Sequence, residues 1–161
     1  MATRSRIGIV NEDGTVSSIY CHWDGYPRGA GKTLVENYTN RDKVKELISL
    51  GSISSLCERV SPNDPLKDYE ESKAKSILER FRPKEEHSFD NPAPGVTVAY
   101  HRDRGEEYFA PRVNKSLDEY FEDDNEEYGY LFNLDGEWLV KPCYGENPVP
   151  QPVNEALAEE T

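Results

Sequence analysis

The most restrictive feature of this chain is a pair of alternating runs joined by a tight-turn signal close to its start. Arg6–Val10 reads as a strand, Asn11-Glu12-Asp13-Gly14 as a turn and Thr15–Trp23 as the return strand. An Asp-Gly pair between alternating runs marks a β-hairpin, because those residues accept the backbone angles of a tight turn. Along the return strand, Ile19, Cys21 and Trp23 alternate with Ser18, Tyr20 and His22, which makes one face apolar and the other polar or amphipathic. Two further hairpins follow the same logic. Gly95–His101 alternates, with Val96, Val98 and Tyr100 on one side; Asp103-Arg104-Gly105 reads as its turn and Glu107–Ala110 as its partner. Tyr128–Phe132 and Glu137–Val140 flank the turn Asn133-Leu134-Asp135-Gly136.

Helices fall between the hairpins. Asp24–Lys32 is a Gly/Pro-rich loop, and Thr33-Leu34-Val35-Glu36 matches a capping box opening a short helix to about Tyr38. A second helix begins after Thr39-Asn40, with Val44, Leu47 and Ile48 on one face and Gly51 where a left-handed C-terminal residue belongs. Asp64-Pro65 opens a third, with Leu66, Tyr69, Ile77, Leu78 and Phe81 in one stripe and surface ion pairs Glu70/Lys73 and Glu71/Lys75. Lys84–Pro94 is a charged loop, and Ser116-Leu117-Asp118-Glu119 is a second capping box before Tyr120 and Phe121. This order predicts an α+β fold: a mainly antiparallel sheet of about six strands in three hairpins, with three to four helices packed on it. Residues 1–144 form one domain, and 145–161 read as a flexible acidic tail.

Composition limits what such a domain does. The chain has 161 residues, enough to bury a core, and its 17 aromatics argue against disorder although apolar residues make up only 35%. No apolar run approaches the roughly 18 residues that span a bilayer, and the basic N-terminus lacks the apolar stretch of a signal peptide. Cys21, Cys57 and Cys143 are odd in number and widely spaced, which points to a reducing cytoplasm and not to a disulfide framework. The net charge is −12 and lies unevenly: residues 1–60 hold 8 Lys+Arg against 7 Asp+Glu, the remainder 11 against 24. So acidic a chain is repelled by nucleic-acid backbones and anionic membranes, and a basic protein partner fits better.

Four arrangements bear on chemistry. Gly25–Thr33 approaches a phosphate loop, but position 26 is Tyr, Gly25 leaves five residues before Gly31-Lys32-Thr33, and no parallel strand ending in Asp follows. A weaker reading keeps Arg28 and Lys32 with helix-start amides as an anion seat. Cys21, His22, Asp24, Cys57, His87, His101 and Cys143 lack any zinc spacing, and Cys21 and His22 point to opposite faces of their strand; no metal or cofactor is expected. No nucleophile elbow occurs, so no catalytic residue is assigned. The polar groups at two strand ends, His22, Asp24, Tyr26, Arg28 and Lys32 with His101, Arg102 and Arg104, would form an anion-binding pocket if those ends adjoin. Finally, Ser116–Glu137 carries nine acids and no Lys or Arg. Its residues Asp118, Glu119, Tyr120, Glu122, Asp123, Asp124, Glu126 and Glu127 read as an acidic, aromatic-bearing surface for a basic protein.

Several stretches resemble a family of small, mostly uncharacterised proteins of tailed bacteriophages. They are Met1–Ile9, the Cys-His-Trp-Asp-Gly-Tyr-Pro run within Ile19–Pro27, Lys43–Gly51, His87–Pro92 and Arg102-Asp103-Arg104-Gly105-Glu106. The resemblance covers about the first 60 residues well and the middle in patches, and the acidic end lies outside it. It brings no activity and transfers no functional residue. It implies a phage product in the bacterial cytoplasm, where accessory proteins of this kind bind and inhibit host or defence components. The leading expectation is therefore a non-enzymatic accessory protein that binds a host or defence protein through its acidic half, nucleic-acid mimicry being one version. The alternative is a nucleotide- or phosphate-binding module built on the Arg/Lys/His-rich loops, and an enzyme at those loops is a third reading.

Overall fold

A computed structural model describes residues 3–60, 88–90, 95–123, 127–143 and 150–159. The expected helix over 64–81 with its ion pairs, most of the loop over 84–94, His87, Asp124 and Glu126 lie outside the described residues.

The first hairpin forms as its turn signal requires. β1 (Ser5–Val10) pairs antiparallel with β2 (Val16–Cys21), Val10 facing Val16, and Gly14 closes the turn at φ +87°. A π-helical turn over Pro27–Gly31 runs into α1 (Lys32–Asn37), then come α2 (Arg41–Ser49) and β3 (Ile53–Ser55). β4 (Val98–Ala99), α3 (Tyr100–Arg104), β5 (Arg112–Asn114) and α4 (Leu117–Glu122) follow. β6 (Tyr128–Phe132), β7 (Trp138–Pro142), β8 (Gln151–Pro152) and α5 (Val153–Glu159) complete the described chain.

Among the described residues the eight strands make one sheet in the order β4-β3-β2-β1-β6-β7-β8, with β5 beside the other end of β2. The fold is α+β as expected, but the sheet is mixed: β1–β6 and β2–β3 are parallel pairs. The second arises because α1 and α2 carry the chain back across the sheet, so β3 restarts in the direction of β2. The six-strand, three-hairpin count is corrected accordingly. The first and last hairpins stand, the last with Phe132 opposite Trp138 and Gly136 at φ +83°. The middle one does not form: after two residues of β4 the chain turns helical, and Gly105 at φ +76° caps α3 where a hairpin turn was expected.

Period-two alternation divides the residues of the sheet between two faces. Ile7, Ile9, Ile19, Cys21, Tyr130, Phe132, Trp138 and Val140 share one face with Ile53 and Ala99, covered by Ala30, Leu34, Val44, Leu47, Ile48, Val153 and Ala156 from the helices. Each fully buried aliphatic side chain there contributes about 1.5–3 kcal/mol. The other face carries a smaller cluster, Val10, Val16 and Leu131 under Tyr120 and Phe121 of α4.

Three local expectations need correction. Thr33 does not cap α1: the helix is already under way, and the Thr33 hydroxyl donates to the Gly29 carbonyl one turn back. Trp23, expected on the apolar face, leaves the strand and is 45% exposed. Residues 150–159, expected in a flexible tail, form β8 against β7 and then α5, whose Val153 and Ala156 are buried. By contrast Asn40 caps α2, Gly51 ends it at φ +76°, and the Ser116 hydroxyl accepts the Glu119 amide at the start of α4.

Candidate functional site

The loop after β2 is built as a knot and not as a ligand cradle. Asp24 takes a left-handed φ of +55°, which its short polar side chain tolerates. That angle throws the Asp24 carbonyl across the loop, where it accepts the Ala30 amide; a Cβ on Gly29 would fall on the same oxygen. Gly25 lies so close to β1 that a Cβ would come within 2.8 Å of Ser5 and the Thr3 carbonyl. Its amide donates to Thr3 (2.8 Å), and its carbonyl accepts the buried Tyr130 hydroxyl (2.6 Å). The amides of Gly29, Ala30 and Lys32 are all spent on loop carbonyls, so the anion-seat reading loses its backbone donors.

Around this knot His22 shares a 2.6 Å hydrogen bond between its Nδ1 and the Tyr20 hydroxyl, and meets Trp23 edge-on. The exposed Tyr26 hydroxyl donates weakly to Asp24 at 3.4 Å. Lys32 sits 4.0 Å from Glu36, both well solvated, and Arg28 is exposed.

The second cluster is spent on structure. Asp103 accepts the Ala99 amide at 2.7 Å and pairs with Arg102 at 2.8 Å, its own side chain only 3% exposed. Arg102 also donates to the carbonyls of Val60 (2.6 Å) and Thr97 (2.7 Å), binding segments distant in sequence. Arg104 stands over the Phe89 ring at 4.7 Å, and His101 Nδ1 meets the Glu106 carbonyl at 2.7 Å.

The strands that carry these two clusters are neighbours of a common strand. β3 lies between β2 and β4, parallel to the first and antiparallel to the second. Cys21 at the end of β2 and Ala99 at the end of β4 both pair with Ile53, so the two strand ends share one row and the chain leaves it in opposite directions. What the second cluster lacks is free donors on Arg102, whose guanidinium is spent on Asp103 and on the carbonyls of Val60 and Thr97.

The acidic half presents a clearer surface. α4 is amphipathic: Tyr120 and Phe121 are buried, while Asp118, Glu119 and Glu122 are exposed. Tyr120 thus belongs to the core and not to the expected interaction surface; its hydroxyl donates to the Tyr130 carbonyl at 2.6 Å. Burial raises its pKa well above the usual phenol range. Asp123 is part-committed, accepting the Asn114 side-chain amide (3.1 Å) near Arg112 (3.5 Å), and Glu119 accepts the Lys115 amide. Glu127 is exposed. Leu117 on α4 is 38% exposed beside these acids, whereas Val113 of β5, 65% exposed, pairs with Ser17 and so belongs to the face of the sheet away from α4. β5 pairs with β2 alone, so one of its edges has no strand beside it among the described residues. Exposed Val113 and the open edge of β5 were not read from the sequence, because a three-residue strand carries too little alternation to be recognised.

Other chemistry finds little footing. Burial pushes the Cys21 thiol up to about 12, and burial with the nearby Glu58 charge raises Cys57, so neither is an activated nucleophile at neutral pH. Among the described residues no three His, Cys, Asp or Glu side chains gather where they could hold a metal. A shallow hollow of about 350 Å³ beside the first turn mixes Glu12 and Asp13 with Arg41 and Lys45. Arg41 there is tied to the carbonyls of Val10 and Asn133. Thr15 holds the Asp13 pKa below the usual carboxylate value, its hydroxyl and amide both donating to the carboxylate.

Comparison of the chain with protein-family models gave no match, and searches of curated proteins and of solved structures returned no similar protein.

Proposed function

We propose that this protein acts by binding another protein through the α4–β5 surface, and that the partner offers a basic face. The observation that carries this reading is the arrangement on α4: Asp118, Glu119 and Glu122 are exposed beside exposed Leu117, on a helix pinned by buried Tyr120 and Phe121. Leu117 supplies an apolar contact and the carboxylates around it supply orientation and steering. The likeness of the first 60 residues to tailed-phage proteins supplies the setting, a bacterial cytoplasm in which the partner is a host or defence component. Carboxylates spaced along a rigid helix also fit a groove that otherwise holds phosphates. The small-ligand alternative has less support, because Arg102 is bound to Asp103 and to the carbonyls of Val60 and Thr97, and the loop amides of Gly29, Ala30 and Lys32 are spent on loop carbonyls.

The test is affinity capture from lysate of the infected host with three baits: wild type, Asp118→Lys/Glu122→Lys, and Glu12→Lys/Glu36→Lys as a distant charge-matched control. A protein captured by wild type and control, lost with the α4 variant and released by salt, supports the reading. Capture that survives reversal on α4 removes it.

A further inference from the structure

The face of the sheet that carries α4 is only half covered. Register places Arg6 beside Tyr20 on one side and Gly129 on the other, with Lys141 next to Gly129. The alternation carried outward adds Arg4 and His22 to the same side, together with one carboxylate, exposed Glu127 beside Arg4, so that three cations face one acid; Arg6 also donates to the hydroxyl and carbonyl of Ser18. Arg6, Tyr20, His22 and Lys141 are all partly buried and Arg4 is exposed. Helices α1, α2 and α5 pack on the opposite face, and α4 reaches this row with its edge, through the Tyr120 hydroxyl near the Arg6 carbonyl and the Lys141 amine on the Phe121 carbonyl. Among the described residues no helix lies over the strip itself. A chain of net charge −12 thus keeps a basic strip, flanked by the exposed Trp23 ring, directly alongside its acidic helix.

Adjacent patches of opposite sign on one face are self-complementary under a two-fold axis. Turning one copy over onto another sets each α4 against the other's strip, an isologous contact that closes at two subunits. We propose that this face is a dimer interface between two copies of the chain, with Asp118 and Glu122 of each meeting Arg4, Arg6 and Lys141 of the other. A second copy is favoured over a polyanion because the complementary carboxylates are already on the molecule, while the net charge repels phosphate chains. Five strands at about 4.8 Å and six residues at about 3.3 Å bound the face at about 500 Å² per copy. Stable complexes bury about 800 Å² per partner, so this dimer belongs to the weak, concentration-dependent class. The inference does not rest on the partner-binding reading, although the two occupants compete for α4.

Charge makes the proposal sharply testable. Two copies of −12 repel at long range, and the patches attract only at contact. The screening length is about 30 Å at 0.01 M salt, about 8 Å at 0.15 M and about 3 Å at 1 M. Sedimentation equilibrium up to about 500 μM protein should therefore show self-association strongest near 0.15 M salt and weaker at both extremes. A strip variant, Arg4→Glu/Lys141→Glu, and a helix variant, Asp118→Lys/Glu122→Lys, should each weaken the dimer about tenfold or more, and their equimolar mixture should restore it. Circular dichroism and thermal unfolding establish that both variants fold, and Arg4→Glu alone, at an exposed position, serves if the double variant does not. A monomer at every salt and concentration overturns the proposal. So does stronger self-association of the helix variant, which would track the smaller net charge alone. Binding of a single-stranded oligonucleotide that the strip variant loses, with wild type monomeric, assigns the strip to a polyanion and also overturns it. Loss of the dimer in the strip variant with lysate capture intact separates the two readings of α4.

Discussion

Replacing Tyr130 by Phe tests whether the loop after β2 is held by the sheet. Tyr130 is fully buried, and its hydroxyl donates at 2.6 Å to the carbonyl of Gly25, itself buried against Ser5 and Thr3. The substitution removes one oxygen and keeps the ring, so packing changes little. What it leaves is a buried carbonyl without that donor, and such a loss costs about 1–3 kcal/mol. For a chain of this size each kcal/mol lowers Tm by about 2–4 °C, so a cost of about 2 kcal/mol is a fall of about 4–8 °C. Urea unfolding followed by far-ultraviolet circular dichroism should show a lower midpoint with an unchanged slope, because the surface exposed on unfolding is the same. Hydrogen exchange should quicken first at the amides of Gly25, Gly29 and Ala30. The matched control is Tyr26→Phe, whose hydroxyl is exposed and only 3.4 Å from Asp24, and it should change stability by under about 0.5 kcal/mol. Equal, negligible effects of the two substitutions would refute the idea that the sheet anchors this loop.

Three further outcomes follow from the structure. Gly29→Ala places a Cβ on the Asp24 carbonyl and should lower stability by about 2–4 kcal/mol in urea unfolding, against about 1–2 kcal/mol for Gly105→Ala, where only the positive φ is strained. Alkylation at pH 8 read by mass spectrometry should modify exposed Cys143 first, half-buried Cys57 next and Cys21 last. Because burial raises Cys21 from about 9 to about 12, the folded chain holds that proton longer than the unfolded one, so stability present below pH 9 should fall as pH climbs towards 12.

Local signals carried the parts of the fold that are local. Asp13-Gly14 and Asp135-Gly136 marked two hairpins, Asn40 and Gly51 bounded α2, and Ser116 opened α4, because each motif satisfies its backbone within a few residues. The misreadings lie where distant groups decide. Val96, Val98 and Tyr100 alternate like a strand, yet the Asp103 carboxylate takes the Ala99 amide and Arg102 is drawn to Val60 and Thr97, so the chain coils after Ala99. The parallel β1–β6 pairing, which sets Lys141 in the same row as Arg6, joins strands more than a hundred residues apart and leaves no trace in either strand alone. The C-terminal helix buries only Val153 and Ala156, too few positions to show a period against an acidic, Pro-rich background. Tyr120 was grouped with its acidic neighbours by sequence proximity, but the helical turn sends it inward while Asp118, Glu119 and Glu122 stay out.

The segment that looks most chemical, Cys21-His22-Trp23-Asp24-Gly25-Tyr26-Pro27, owes most of its composition to geometry. Cys21 fills the core, Asp24 supplies a left-handed bend, Gly25 permits contact with β1, and Pro27 starts the π-helical turn leading into α1. Each is demanding in shape and undemanding in reactivity. Binding is then assigned to surfaces whose requirement is the sign of a charge and not a particular atom: carboxylates on one turn of helix, cations on the strip beside it. The knot fixes the helices on one side of the sheet and leaves the other side to α4 and the basic row. It is in this sense that the chemically conspicuous residues serve the inconspicuous ones.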